Sequence, residues 1–198
     1  MTRVLVIDDH PAITDWIRLV CDQSDGFELI GEYSSVDAVP IPDRGTADII
    51  VIDLILDATG DLWPGLKQIS SWGPKIVVFS VRAEGVVVTR AFRNGASAFV
   101  GKSATKQQMT SALELVAQGA SGLALAADKP RELPRGLTPS LQSVLAAITK
   151  TTDTSELAAL CSYNPHTVEE YISQLYNVLD TRPRRRAALV AQAEELGF

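Results

Sequence analysis

At 198 residues, 46% of them hydrophobic, the chain is long enough to bury one full core and a second, compact helical one. A net charge of −6 and two widely separated cysteines, Cys21 and Cys161, exclude a disulfide scaffold and point to free thiols in a reducing cytoplasm. No apolar run approaches the roughly 20 residues needed to span a bilayer, and the first strand is expected so early that no room is left for a signal peptide.

The run VLVIDD (4–9) is short, β-branched and ends on two acidic residues. IIVID (49–53), KIVVFS (75–80) and SAFVGK (97–102) repeat that pattern, with amphipathic helical stretches between them. EGVVVTRAF (84–92) reads as the fourth helix of this domain despite its valines, because packing overrides modest propensity. ATKQQMTSALELVAQG (104–119) is the last, with Met109, Ala112, Leu113, Val116 and Ala117 at helical spacing before a glycine stop. This alternation predicts a parallel α/β sheet over residues 1–119. The stretch 120–136 mixes small residues, prolines and charges and reads as a linker. From Leu137 to Phe198 the pattern is helical: SLQSVLAAITK, TSELAALC, PHTVEEYISQLYNVL and RRRAALVAQAEEL, with Thr138-Pro139 and Asn164-Pro165 as capped entries.

In a parallel α/β sheet, ligands gather outside the carboxyl ends of the strands. Asp8, Asp9, Asp53, Ser80 and Lys102 each stand at such an end, so they are expected to converge. Three crowded carboxylates repel one another unless a hard cation such as Mg²⁺ neutralises them. A lysine and a hydroxyl aimed at the same place suit a phosphoryl group, so the site looks built to accept phosphate on a carboxylate. Trp16, Trp63 and Trp72 are expected to pack against sheet or loops, and His10 to make local hydrogen bonds.

These residues, in this order, resemble those of the bacterial two-component response regulators that join a receiver domain to a LuxR/NarL-type helix-turn-helix. VLVIDDHPAI carries the acidic pair, ADIIVIDL the phosphoacceptor, VVFS the switch hydroxyl, and NGASAFVGKS the lysine, three residues after Phe99. The resemblance implies a flavodoxin-like, doubly wound, five-stranded receiver followed by an all-α four-helix domain. It implies that Asp53 takes a phosphoryl group from a sensor histidine kinase, and that Asp9, Asp53 and the Ile55 carbonyl hold Mg²⁺, with Asp8 acting largely through water. Lys102 would pair with the phosphoryl group, Ser80 would move to hydrogen-bond it, and Phe99 would change rotamer. Such a chain turns over no external metabolite and is not expected to be an enzyme. Two positions depart from the family pattern: Asp57 stands where relatives have proline, and Val81 where they have a small alanine.

In the helical domain the resemblance places the helix-turn-helix on the second and third segments, the third lying in the major groove. Thr167, Ser173, Gln174 and Asn177 would read bases, and Arg182, Arg184, Arg185 and Arg186 would clamp phosphates. Glu169 and Glu170 oppose this, and Leu137 to Phe198 carries five Lys/Arg against seven Asp/Glu. The arginines are alternatively partners for those two glutamates, and His166 either reaches a phosphate or is simply exposed. Two functions are therefore open: a transcription factor that works as a homodimer on DNA, or a receiver whose divergent helix-turn-helix binds a protein, such as another regulator in a heterodimer.

Overall fold

The computed structural model describes residues 1–56, 63–129 and 133–198. The chain divides into two compact units, Met1–Pro130 and Arg131–Phe198. Asp57 lies outside the described residues, so the departure expected there has no structural counterpart to report.

The first unit runs β1 (Thr2–Ile7), α1 (Pro11–Asp22), β2 (Phe27–Tyr33), β3 (Ile49–Ile52), α2 (Trp63–Ser70), β4 (Lys75–Ser80), α3 (Gly85–Arg93), β5 (Ala96–Gly101), α4 (Lys106–Ala117) and β6 (Leu123–Leu125). The strands form one parallel sheet in the order β2-β1-β3-β4-β5-β6. Side chains alternate between its faces. Leu5, Ile7, Ile50, Ile52, Ile76, Val78 and Phe99 face a core closed by α2 and α3. Val4, Val6, Ile49, Val51, Val77, Phe79, Ala98 and Val100 face the core under α1 and α4. With both faces covered, the strands read as unbroken apolar runs. Each fully buried isoleucine contributes roughly 1.5–3 kcal/mol relative to exposure.

Local chemistry sets the helix ends. Pro11 opens α1 at a position where a missing N–H costs nothing. A capping box between Thr105 and Gln108 opens α4. The far end of α4 is closed by a distant residue, since Lys75 Nζ donates to the carbonyls of Val116 (2.7 Å) and Ala117 (3.2 Å), where a cation complements the helix dipole.

Two features depart from the sequence expectation. Between β2 and β3 the chain makes only a 3-10 turn at Ile41–Asp43, so the segment expected as the fourth helix is the third, α3. Pro40 and Pro42 remove the amides that an α-helix would need there, and buried Val36 and Val39 fill the core in its place. Within 120–136, Leu123–Leu125 adds a sixth strand beside β5, pairing Ala98 with Leu123, Phe99 with Ala124 and Val100 with Leu125.

The second unit holds α5 (Pro139–Ile148), α6 (Thr154–Cys161), α7 (Pro165–Val178) and α8 (Arg186–Glu195). The side chains of Thr138, Asp153 and Asn164 cap the first three. Leu141, Val144, Leu145, Leu157, Val168, Ile172, Leu175 and Leu189 form the shared core. Ser162 ends α6 in the left-handed region at φ 58°, and the chain turns through it into α7.

Candidate functional site

Four strands, β1, β3, β4 and β5, deliver polar residues to one edge of the sheet. Asp8 and Asp9 follow β1, Asp53 follows β3, Ser80 closes β4 and Lys102 follows β5. Sheet hydrogen bonding runs on past the strand ends. The amides of Asp8, Asp53 and Lys102 donate to the carbonyls of Tyr33 (3.0 Å), Ile7 (3.1 Å) and Ser80 (2.9 Å). The backbone therefore places these residues side by side before any side chain makes contact.

Asp8 is 4% exposed and Asp53 2%, and buried carboxylates need a compensating charge. Lys102 supplies it, with Nζ 2.5 Å from Asp53 Oδ2 and 2.8 Å from Asp8 Oδ2. Burial alone would push the lysine pKa down, but hydrogen bonds to Asp53 and Asp8, and their charges, outweigh it and hold the pKa raised. The other oxygen of Asp53 accepts the Ile55 amide at 3.1 Å. His10 binds the remaining acid, with Nδ1 2.8 Å from Asp9 Oδ1 and 3.2 Å from Asp8 Oδ1, while its amide donates to Asp8 Oδ1 at 2.9 Å. One ligand atom from each of Asp8, Asp9 and His10 lies within 4.8 Å of the others, a set able to hold a cation. Ser80 is fully buried, and its Oγ has no hydrogen-bond partner among the described residues. A buried hydroxyl left in that state is costly, which marks it as a donor held ready for another group.

The structure thus joins Asp8, Asp53 and Lys102 directly, Asp9 to Asp8 through His10, and Ser80 to Lys102 through the backbone. Phe99 lies fully buried in the core layer under α3. His10 makes the local hydrogen bonds expected of it, but to two carboxylates of the site. The triplet Asp8-Asp9-His10 was the available signal. Sequence reading also missed Phe79, which stacks on Trp16 with ring centroids 5.2 Å apart and lies 6.0 Å from Lys102 Nζ.

A family profile for the response regulator receiver domain matches residues 4–114. The chain belongs to the response regulators. Response regulator UvrY of Escherichia coli K12 is 25% identical over 193 residues, covering 91% of this chain and 88% of that protein. Transcriptional regulatory protein ComA of Bacillus subtilis is 22% identical, covering 98% and 99%. Among solved structures, the RcsB response regulator of Salmonella typhimurium aligns with a TM-score of 0.58 at 18% identity, covering 96% of this chain and 97% of that one. A LuxR-family two-component response regulator from Aurantimonas aligns at 0.55 and 26% identity, covering 63% and 89%. The shared architecture is a parallel α/β receiver followed by a helical region.

In this response regulator, α6 and α7 form the helix-turn-helix, and the exposed face of α7 carries His166, Glu169, Glu170, Ser173, Gln174 and Asn177. Two of the expected arginines, Arg184 and Arg186, hydrogen-bond within the domain, and a third, Arg182, makes only an exposed ion pair with Asp180 at 3.6 Å. Arg186 donates to the Thr152 carbonyl (2.5 Å), to Thr154 Oγ1 (2.7 Å) and to Glu169 Oε1, so it ties α8 to the starts of α6 and α7. Its side chain is only 25% exposed. A hydrogen bond from Thr154 and the charge of Arg186 hold the Glu169 carboxyl below the usual range. Arg184 donates to Asn177 Oδ1 at 2.5 Å. Thr167 spends its amide on the Asn164 cap (2.8 Å) and is half-buried. Arg182, Arg185, Ser173 and Gln174 stand exposed, and Glu170 faces His166 at 3.4 Å. Of the two glutamates that oppose a polyanion, one is therefore neutralised internally. No helix among the described residues is long and apolar enough to cross a membrane.

Proposed function

We propose that this chain is a two-component response regulator that takes a phosphoryl group on Asp53 and acts as a DNA-binding transcriptional regulator. The observation that carries the reading is the buried Lys102 bridging Asp53 and Asp8 beside a Ser80 hydroxyl with no partner among the described residues. An oxygen of Asp53 forms the new O–P bond as the N–P bond to a phosphohistidine of a sensor kinase breaks. The leaving imidazole keeps the bond electrons and gains a proton. Lys102, already charged, stabilises the negative phosphoryl oxygens, and Ser80 Oγ donates to one of them.

The residues present fit a divalent cation. Asp8, Asp9 and Asp53 supply hard oxygen donors, to which the family resemblance adds the Ile55 carbonyl, and Lys102 and His10 already hold positive or proton-donating groups against the carboxylate oxygens. Mg²⁺, when bound there, neutralises the carboxylates and the incoming phosphoryl oxygens.

In the second unit, α7 is the helix offered to the major groove. Ser173 and Gln174 face the base edges, while Arg182 and Arg185, with Arg184 beside them, meet phosphates. Two RcsB dimers have been solved bound to two parallel DNAs, and a homodimer on a two-fold site suits this chain. Labelling by a small-molecule phosphodonor tests the first half: wild type is labelled, and label retained by Asp53→Asn refutes the assignment. Selection of genomic fragments with beryllofluoride and Mg²⁺ present tests the second. An enriched motif lost on replacing Arg182 and Arg185 by alanine supports the reading, and no enrichment from folded protein overturns it.

A further inference from the structure

The residues after β6 lie on the part of the sheet edge that Ser80 and Lys102 also occupy. Ala126 turns in the left-handed region at φ 49°, unfavourable for a residue with a Cβ, so its surroundings must hold it there. Its carbonyl presses on Gly101, where an added Cβ would stand 2.0 Å from Ala126 O and 3.5 Å from the Ala83 Cβ. Two residues on, the Asp128 amide donates to the Ala83 carbonyl at 2.9 Å. The Lys129 carbonyl then crosses Gly85, where an added Cβ would be 2.5 Å away. Glycine at 85 and at 101 is what lets this segment sit so close. Ala83 and Gly85 lie just beyond Ser80, and Gly101 immediately precedes Lys102. The segment therefore grips both loops that carry the groups facing Asp53.

We propose that residues 126–129 are a strap whose attachment is set by the phosphorylation state of Asp53, an inference that rests on the reading of Asp53 as phosphoacceptor. When Ser80 turns its Oγ to a phosphoryl oxygen, residues 81–84 follow it, and the carbonyl of Ala83 moves away from the Asp128 amide. The Lys129 carbonyl loses its seat on Gly85 with it. The strap then leaves the edge of the sheet beside β5. With Asp53 unmodified, the seated strap opposes the same movement. Because one equilibrium joins the two events, the coupling is reciprocal: whatever factor phosphorylation contributes to strap release, strap release returns to phosphorylation.

Amide hydrogen exchange on the full chain, with and without beryllofluoride and Mg²⁺, tests the strap. The phosphoryl mimic is expected to speed exchange across 123–129 by roughly tenfold. Two variants reach the released state without it. Gly101→Ala drives the Ala126 carbonyl off the sheet, and Asp128→Pro removes the donor from an exposed position where folding is not at stake. Both are expected to speed exchange in 123–127 and to tighten the binding of beryllofluoride in the presence of Mg²⁺ by a matching factor. If the mimic alters exchange around 53–56 and 80–84 but leaves 123–129 unchanged, the strap is wrong and the phosphoacceptor stands. If none of these segments responds, both readings fall. Faster exchange in Asp128→Pro with unaltered beryllofluoride affinity overturns the coupling.

Discussion

Replacing Lys102 by methionine removes the charge that neutralises Asp8 and Asp53 while keeping most of the side-chain volume. Two carboxylates, 4% and 2% exposed, are then left without their cation, keeping only His10 and backbone amides as partners. Breaking a buried ion pair from one side costs about 3–5 kcal/mol, because the remaining charge stays desolvated. The lower figure applies here, since Lys102 is itself 11% exposed and water reaches the pocket. Unfolding entropy near 2.1 cal/mol/K per residue over Met1–Pro130 gives about 270 cal/mol/K, so a loss of about 3 kcal/mol lowers the melting temperature of the first unit by about 11 °C. Thermal melts followed by circular dichroism at pH 7 without divalent cations measure it. Millimolar Mg²⁺ rescues the variant more than wild type by binding only the folded state. A variant that melts within about 3 °C of wild type at pH 7, with no response to Mg²⁺, would refute the neutralising role of Lys102.

The raised pKa of Lys102 sets an alkaline prediction. Its pairing contributes stability that is full below the unfolded value of about 10.4 and is lost as pH rises through the higher folded value, so wild type loses more stability above that range than Lys102→Met does. Ser80→Ala should not destabilise and should gain up to about 1–3 kcal/mol, since a buried hydroxyl with no partner among the described residues takes its desolvation cost with it, yet it should abolish the exchange response of 81–84 to beryllofluoride. Glu169→Gln releases Arg186 from its carboxylate. It should tighten DNA binding and steepen the salt dependence by about one unit of slope per protomer in titrations across ionic strength. Leu175→Ala, in the centre of the helical core, should cost about 2–5 kcal/mol in denaturant melts and remove DNA binding while leaving phosphodonor labelling intact.

Much of the fold was legible because its signals are local. Apolar runs ending on Asp9, Asp53, Ser80 and Lys102 announced strands that deliver chemistry to one edge, and Thr138 and Asn164 announced capped helices where the helical period began, whereas the Asp153 cap showed only in the structure. The missing helix between β2 and β3 was legible too, in Pro40 and Pro42, but the alternation elsewhere argued for a helix in its place. The three residues of β6 are too short to show any period, and only the exposed edge of β5 turns them into a strand.

The sequence by itself determined which residues reach the sheet edge, since strand polarity and the positions of breakers depend on neighbours in the chain. Tertiary structure alone decided how they pair. Lys102 bridges residues 49 and 94 positions away, and Arg186 reaches Glu169 across 17, because such bonds depend on where packing sets each backbone and which rotamers it leaves open. The same holds for the strap: glycine at 85 and 101 could be read as punctuation, but only the folded chain shows the carbonyls of Ala126 and Lys129 lying where a side chain would have been.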